Sequence, residues 1–238
     1  DPKMPITTQL HMRVFADTKA KKVIHWIGTD IHQLRWNCNF EKIKVIKEWM
    51  KENKIINLTE VDFTQKELRE VGIDSKVVPI PPSKLYDPIP LPKDFAVAVY
   101  ESSASPMYHP EIIEKVIRAM PDTKFYLFGD DSVKGKKGEN FEHLGFIDMA
   151  EWMLKLSCNL RITLHDGLPL LPVEFMTAGR QVITNVPIKG VIKTDKKVKN
   201  IIAAIRKAQK EQLDPKWGRY WKKEMDHSKY VKRIRRLM

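Results

Sequence analysis

The chain has 238 residues, 42% of them hydrophobic and 30% charged, which is the composition of a soluble globular protein with one large or two small domains. It has no apolar run long enough to span a membrane and no signal peptide, and two cysteines cannot form a disulfide framework, so we expect a cytoplasmic protein. The net charge of +12 permits an anionic partner, but charge alone does not distinguish nucleic acid, anionic lipid and nucleotide diphosphates.

The first third of the chain alternates short strands with helices. The predicted strands are residues 11–15, 23–27, 55–58 and 77–80. The predicted helices are residues 40–53 and 65–71, the second capped by Thr64 and ended by Gly72. We expect residues 1–80 to form one domain. The proline-rich residues 81–94 cannot be helix or central strand, so they predict a stiff linker.

Past the linker, strands and helices alternate again over residues 95–212, as in a doubly wound domain. The predicted strands are residues 95–100, 124–128, 160–164 and 181–185. The predicted helices are residues 110–120, 149–156 and 170–178.

The last strand–helix–strand unit carries the strongest signal. It turns tightly at Asp166-Gly167, and its helix closes at Gly179. Such units bind ligands at the carboxyl ends of their strands, and a helix start offers unpaired N–H groups that suit a phosphate. Two carboxylates, Asp166 and Glu174, bracket this helix start. A purely structural unit with ordinary first-turn carboxylates is the alternative.

The two carboxylates are separated by seven residues within a run G-L-P-L…E-F-M-T-A-G-R-Q-V-I. This pattern resembles the retaining GT-B glycosyltransferases, in particular family 4. The similarity covers roughly residues 55–185, and residues 23–30 more weakly. The sequences L-F-G-D (residues 127–130) and G-F-I (residues 145–147) also resemble that family. The resemblance implies an α/β protein with two Rossmann-like domains facing a cleft, the amino-terminal one abbreviated.

The resemblance also implies roles for individual residues. Glu174 would bind the ribose hydroxyls of a nucleotide-sugar donor, and Asp166 would contact the transferred sugar. The catalytic candidates are Asp166, Asp30 and His25. The donor-binding candidates are Glu174, Gly167, Leu168, Pro169, Leu170, Gly28, Thr29, Ser102 and Ser103. A histidine on a strand is more often packed or solvated than catalytic, which is the alternative for His25.

The chain departs from the family after the first strand of the second domain. Family members have an Arg and a Lys there, which neutralise the donor diphosphate. In this chain, no Lys or Arg lies between Tyr100 and Lys115. Weaker stabilisation of the leaving group would follow. Ser102 and Ser103 are substitutes as hydrogen-bond donors, and Lys189 or Arg180 are candidate cations from elsewhere in the chain.

The basic tail, residues 213–238, is predicted as a helix that packs back on the first domain. Its aromatic residues interleaved with Lys and Arg also fit an amphipathic segment in peripheral contact with an anionic membrane. A solvated helix face is a further alternative. Nucleic acid is the least favoured partner, because no recognised nucleic-acid motif is present.

We therefore expect a hexosyltransferase-type enzyme that moves a sugar, with retention, from a donor such as a UDP- or GDP-sugar to a saccharide, lipid-linked or protein acceptor. No cofactor is expected, and no metal, since the chain has no Asp-x-Asp motif. The missing cations and the short first domain leave an alternative, a non-catalytic nucleotide-sugar or partner-binding module of the same fold. A basic nucleic-acid-binding protein is the third hypothesis.

Overall fold

The structure, a computed structural model, describes residues 18–100 and 106–237, which form two compact units. The first contains residues 18–79 and 230–237. The second contains the described part of Ile80–Lys229. Each unit has an entirely parallel sheet with helices, which confirms the predicted α/β class.

The first unit contains a three-stranded sheet in the order β1-β2-β3. The strands are β1, Val23–Trp26; β2, Ile56–Thr59; and β3, Lys76–Val77. The helices before the second unit are α1, Thr29–Asn37; α2, Phe40–Glu52; and α3, Asp62–Glu70. A small core of Trp26, Ile31, Leu34, Met50, Leu68 and Ile73 joins them. The strand predicted over residues 11–15 lies outside the described residues.

Two details of the first unit differ from the prediction. Gly28 is the N-cap of α1 with a left-handed φ of 104°, so the turn at Gly28 leads straight into a helix that was not predicted. Thr64 is not the cap of α3, because that helix begins one turn earlier. Its hydroxyl instead donates a hydrogen bond to the carbonyl of Val61 at 2.8 Å.

The second unit contains a six-stranded sheet in the order β6-β5-β4-β7-β8-β9. The strands are β4, Ala96–Tyr100; β5, Lys124–Phe128; β6, Phe141–Gly145; β7, Cys158–Arg161; β8, Gln181–Thr184; and β9, Ile192–Lys193. The helices are α4, Pro110–Arg118; α5, Met149–Trp152; α6, Leu170–Thr177; α7, Val198–Lys210; and α8, Pro215–Glu224.

These elements confirm the predicted alternation but add the two edge strands, β6 and β9, which were not predicted. One strand boundary matters for the site. β7 ends at Arg161, whereas the prediction continued this strand to residue 164. Residues 162–166 therefore run beyond the carboxyl end of the sheet.

The proline-rich segment, residues 81–94, is part of the second unit and is bound to it through Arg180. Arg180 is fully buried, and its Nη1 and Nη2 donate to the carbonyls of Ile89 and Pro90 at 2.6 and 2.7 Å. Nη2 also donates to the carbonyl of Met153 at 3.2 Å. Burial lowers the pKa of Arg180, because a buried guanidinium loses its hydration. The proline-rich segment is therefore attached to the second unit by hydrogen bonds from a buried cation.

The basic tail forms two helices instead of the single predicted one. α8 belongs to the second unit and packs against α6, and Gly218 permits a close approach, since a Cβ there would lie 2.8 Å from the Met176 carbonyl oxygen. The final helix, α9, spans His227–Leu237, and its residues from 230 onward belong to the first unit. No helix among the described residues is long and apolar enough to cross a membrane.

Replacing Arg180 tests the role of the buried cation. Arg180→Met removes a donor from the backbone carbonyls of Ile89, Pro90, Met153 and Ala178, and we expect it to destabilise the protein by about 3 kcal/mol or more. Urea unfolding followed by tryptophan fluorescence measures the change. Arg206→Met is the matched control, because Arg206 forms an exposed ion pair with Asp122. Equal shifts of the unfolding midpoint in the two variants would contradict the assignment.

Candidate functional site

The strand order of the second unit creates a crevice position at the carboxyl ends of β4 and β7. From β4 the chain proceeds to β5 and β6 on one side of the sheet, and then crosses to β7, β8 and β9 on the other. Ligands of open parallel sheets bind at such a reversal of strand order, beyond the carboxyl ends of the strands. The last residues of these two central strands are Tyr100 and Arg161.

An ion pair occupies this position. The Nε of Arg161 donates to the carboxylate of Asp166 at 2.7 Å, and 12% and 17% of the two side chains are exposed. The guanidinium carbon also lies 5.3 Å from the ring centroids of both Tyr100 and Tyr108. Attraction to two aromatic faces and one carboxylate fixes the guanidinium at the end of the sheet.

The loop from Asp166 leads into the start of α6. The backbone N–H of Gly167 donates to the Asp166 carboxylate at 3.0 Å, and Gly167, Leu168 and Pro169 are buried. Pro169, the N-cap of α6, provides no side-chain cap. The first N–H groups of a helix have no partner within it, so those of Leu170 and Leu171 are available to an anion.

Glu174 lies one turn after Leu170 on the same face of α6, and helical side chains tilt back towards the amino terminus. Its carboxylate and the start of α6 therefore face the same region. Burial raises the pKa of Glu174 to about 7, while the charge of Lys84 acts in the opposite direction. Burial raises the pKa of Tyr86, and the charge of Glu174 is the second cause of this shift.

The proline-rich segment supplies the neighbours of Glu174. Lys84 Nζ lies 5.1 Å from the ring centroid of Tyr86, and the Tyr86 backbone N–H donates to Thr177 Oγ1 at 3.2 Å. Arg180 holds the same segment a few residues further on. A buried cation outside the site therefore fixes the residues that surround its second carboxylate.

The candidates of the first unit lie together at the carboxyl end of β1. The Asp30 carboxylate accepts from the backbone N–H groups of Ile27 and Ile31 at 3.1 and 2.8 Å, so it stabilises the start of α1. Burial lowers the pKa of His25, while Asp30 and a hydrogen bond to the Val78 backbone act in the opposite direction. Thr29, the first residue of α1, is exposed. A catalytic role for these residues stays a prediction from the resemblance.

The predicted substitutes for the missing cations have mixed outcomes. Ser102 and Ser103 lie outside the described residues. Arg180 is fully buried, and its Nη1 and Nη2 donate to backbone carbonyls. Lys189 Nζ donates to the Tyr220 hydroxyl on α8 at 3.3 Å. The sequence analysis missed Arg161. Its signal was a basic residue at the end of a strand, five residues before Asp166. No group of three or more His, Cys, Asp or Glu in the described part of the chain is arranged to hold a metal ion.

Comparison with known proteins gives a consistent fold. No protein-family model and no curated protein matches the chain. Among solved structures, sucrose-phosphate synthase from Thermosynechococcus elongatus is similar with a TM-score of 0.73 and 13% identity, over 96% of this chain and 70% of that one. Anabaena HepE in complex with UDP and glucose has a TM-score of 0.69 and 13% identity, over 92% and 71%.

A third similar structure is TarM of S. aureus in complex with UDP, with a TM-score of 0.66 and 14% identity, over 92% of this chain and 51% of that one. The fold is that of the GT-B glycosyltransferases. This confirms the predicted fold resemblance, while the assignment to family 4 stays a prediction. The chain spans between about half and seven tenths of the length of these three structures.

The raised pKa of Glu174 predicts a pH-dependent stability. The folded protein holds this carboxyl protonated up to about pH 7, whereas its ordinary pKa is 4.5. Its neutral form therefore stabilises the fold fully below pH 4.5, and this contribution is lost as the pH rises through 7. We expect Glu174→Gln to match the wild type near pH 5 and to be more stable at pH 8.

Urea unfolding at both pH values measures this difference. Glu139→Gln is the control, since Glu139 is exposed in the loop before β6. A Glu174→Gln variant that is equally stable relative to the wild type at pH 5 and pH 8 would show that Glu174 is not desolvated.

Proposed function

We propose that this protein is a glycosyltransferase that moves a hexosyl group from a nucleotide-sugar to an acceptor with retention and without a metal ion. The observation that carries the proposal is the pair Asp166 and Glu174 on either side of the start of α6, beside the reversal of strand order in the second unit. The GT-B fold supports it, because the similar structures are glycosyltransferases.

Glu174 is proposed to bind the ribose of the donor. A carboxylate accepts hydrogen bonds from two adjacent hydroxyls, and its position one turn into α6 leaves the helix start free for the diphosphate. A protonated carboxyl accepts less well, so the raised pKa implies that donor binding promotes ionisation of Glu174. Two ribose hydroxyls would donate to the Glu174 carboxylate the hydrogen bonds that it loses from water on burial.

Asp166 and the helix start are proposed to act on the reacting end of the donor. The bond between the sugar carbon and the diphosphate oxygen breaks with its electron pair left on that oxygen. The acceptor oxygen forms the new bond to the carbon on the same face, and its proton passes to the departing diphosphate. The N–H groups of Leu170 and Leu171 stabilise the developing negative charge, and Asp166 orients the sugar.

The donor is proposed to be a UDP-sugar, because HepE and TarM both have structures in complex with UDP. A saccharide, lipid-linked or protein acceptor and a cytoplasmic location are also proposed. Exposed Val231, Lys232, Arg235 and Arg236 on α9 support peripheral contact with an anionic membrane, since they combine an apolar residue with positive charge.

Donor binding tests the proposal. We expect isothermal titration to detect binding of UDP or GDP and their sugars, and Glu174→Ala to weaken it at least about tenfold through the lost ribose contacts. Glu139→Ala is the matched control and should bind as the wild type does. Absence of nucleotide binding, or equal affinity in wild type and Glu174→Ala, would contradict the proposal.

A non-catalytic nucleotide-sugar-binding module is the second candidate. The observation in its favour is the ion pair of Asp166 with Arg161, which engages the carboxylate assigned to the sugar. The two functions differ in turnover. Donor binding without transfer or donor hydrolysis across a panel of acceptors would assign the protein to this second function.

A further inference from the structure

Arg161 places a positive charge close to the end of β4, where the sequence lacks basic residues. The sequence offers no basic residue directly after β4, although a departing diphosphate needs positive charge. The neighbouring strand β7 ends at Arg161, and β4 and β7 are paired in the sheet. The guanidinium therefore lies next to Tyr100, the residue that ends β4.

The position of Arg161 is set by three side chains that leave part of its guanidinium unused. Asp166 binds Nε at 2.7 Å, and Tyr100 and Tyr108 each have a ring centroid 5.3 Å from Cζ. Within the described residues, Nε makes the one hydrogen bond recorded for this guanidinium. In this part of the chain the two terminal amino groups have no hydrogen-bond acceptor, and a guanidinium fork matches the oxygen atoms of a phosphate.

The location also fits an anionic ligand. Arg161 stands at the reversal of strand order, and the chain passes from it through Asp166 and Gly167 to the uncapped start of α6. A cation and a helix amino terminus thus lie at the two ends of one short loop. Both favour negative charge, and together they provide charge and N–H donors for two linked phosphates.

We propose that Arg161 is the cation that binds the donor diphosphate, and that Asp166, Tyr100 and Tyr108 hold its guanidinium in place. This inference rests on the proposed function, because it assigns the phosphate contacts of the same site. Asp166 is then also a positioning residue for Arg161. When the sugar–oxygen bond breaks, the electron pair left on the diphosphate oxygen lies near a fixed positive charge.

A structural role is the competing explanation, since an ion pair this little exposed is costly to break whatever it binds. The two explanations differ in ligand dependence. A structural loss weakens all ligands of the site together. A phosphate contact affects only ligands that carry phosphate, and a lysine partly restores it because it keeps the charge without the fork.

Titration of the full chain with a nucleoside, its monophosphate and its diphosphate tests the assignment, using the base that the wild type binds. We expect Arg161→Gln to weaken diphosphate binding at least about tenfold and nucleoside binding less than about twofold. Arg161→Lys should lie between the two. Arg206→Gln is the matched control for net charge, because Arg206 pairs with Asp122 just before the amino end of β5. Arg161 lies at the carboxyl end of β7.

A double variant guards against misfolding. Arg161→Gln with Asp166→Asn replaces the ion pair by a neutral hydrogen-bonding pair, and the same selective loss of diphosphate affinity is expected. Equal losses for nucleoside and diphosphate, or no loss at all, would overturn the role of Arg161. The proposed function fails separately, if the wild type binds no nucleotide or if Glu174→Ala does not weaken binding.

Discussion

The second unit holds its proline-rich segment through a fully buried cation, Arg180. In the described part of the chain Arg180 pairs with no carboxylate, and its Nη1 and Nη2 instead donate to the backbone carbonyls of Ile89, Pro90 and Met153. Burying such a group is unfavourable unless its donors are satisfied, so the proline-rich segment and the cation fix each other. The same segment carries Lys84 and Tyr86, which lie near Glu174. Arg180 therefore holds the segment whose residues Lys84 and Tyr86 interact electrostatically with the candidate ribose-binding carboxylate.

The two carboxylates of the site, Asp166 and Glu174, have different surroundings. Asp166 accepts hydrogen bonds from the Arg161 guanidinium and from the backbone N–H of Gly167. Glu174 has burial as its dominant influence, which favours the neutral form, and Lys84 opposes it only partly. Asp166 therefore has an ion-pair partner within the protein before any ligand binds. The other gains its charge most easily when hydroxyl groups replace the missing water, which suits a residue that recognises a sugar or a ribose.

Local sequence patterns predicted the elements that surround the two carboxylates. The strand, turn and helix around Asp166 and Glu174 follow from alternating apolar residues, Gly167 and Gly179. Helix α1 was not predicted because a glycine after a strand indicates a turn. In the structure, Gly28 has a left-handed φ and is also the N-cap of α1. Arg161 was missed because the required cation was sought along the chain after β4, whereas sheet pairing supplies it from β7. Contacts between distant segments, such as Arg180 with Ile89, have no local pattern at all.

The central claim is that Glu174 and the start of α6 form the donor site, and a crystal structure of the protein with a bound nucleoside diphosphate tests it most directly. We expect both ribose hydroxyls within hydrogen-bond distance of the Glu174 carboxylate, and the diphosphate at the N–H groups of Leu170 and Leu171 beside Arg161. A nucleotide bound elsewhere on the protein, or a ribose turned away from Glu174, would contradict the account.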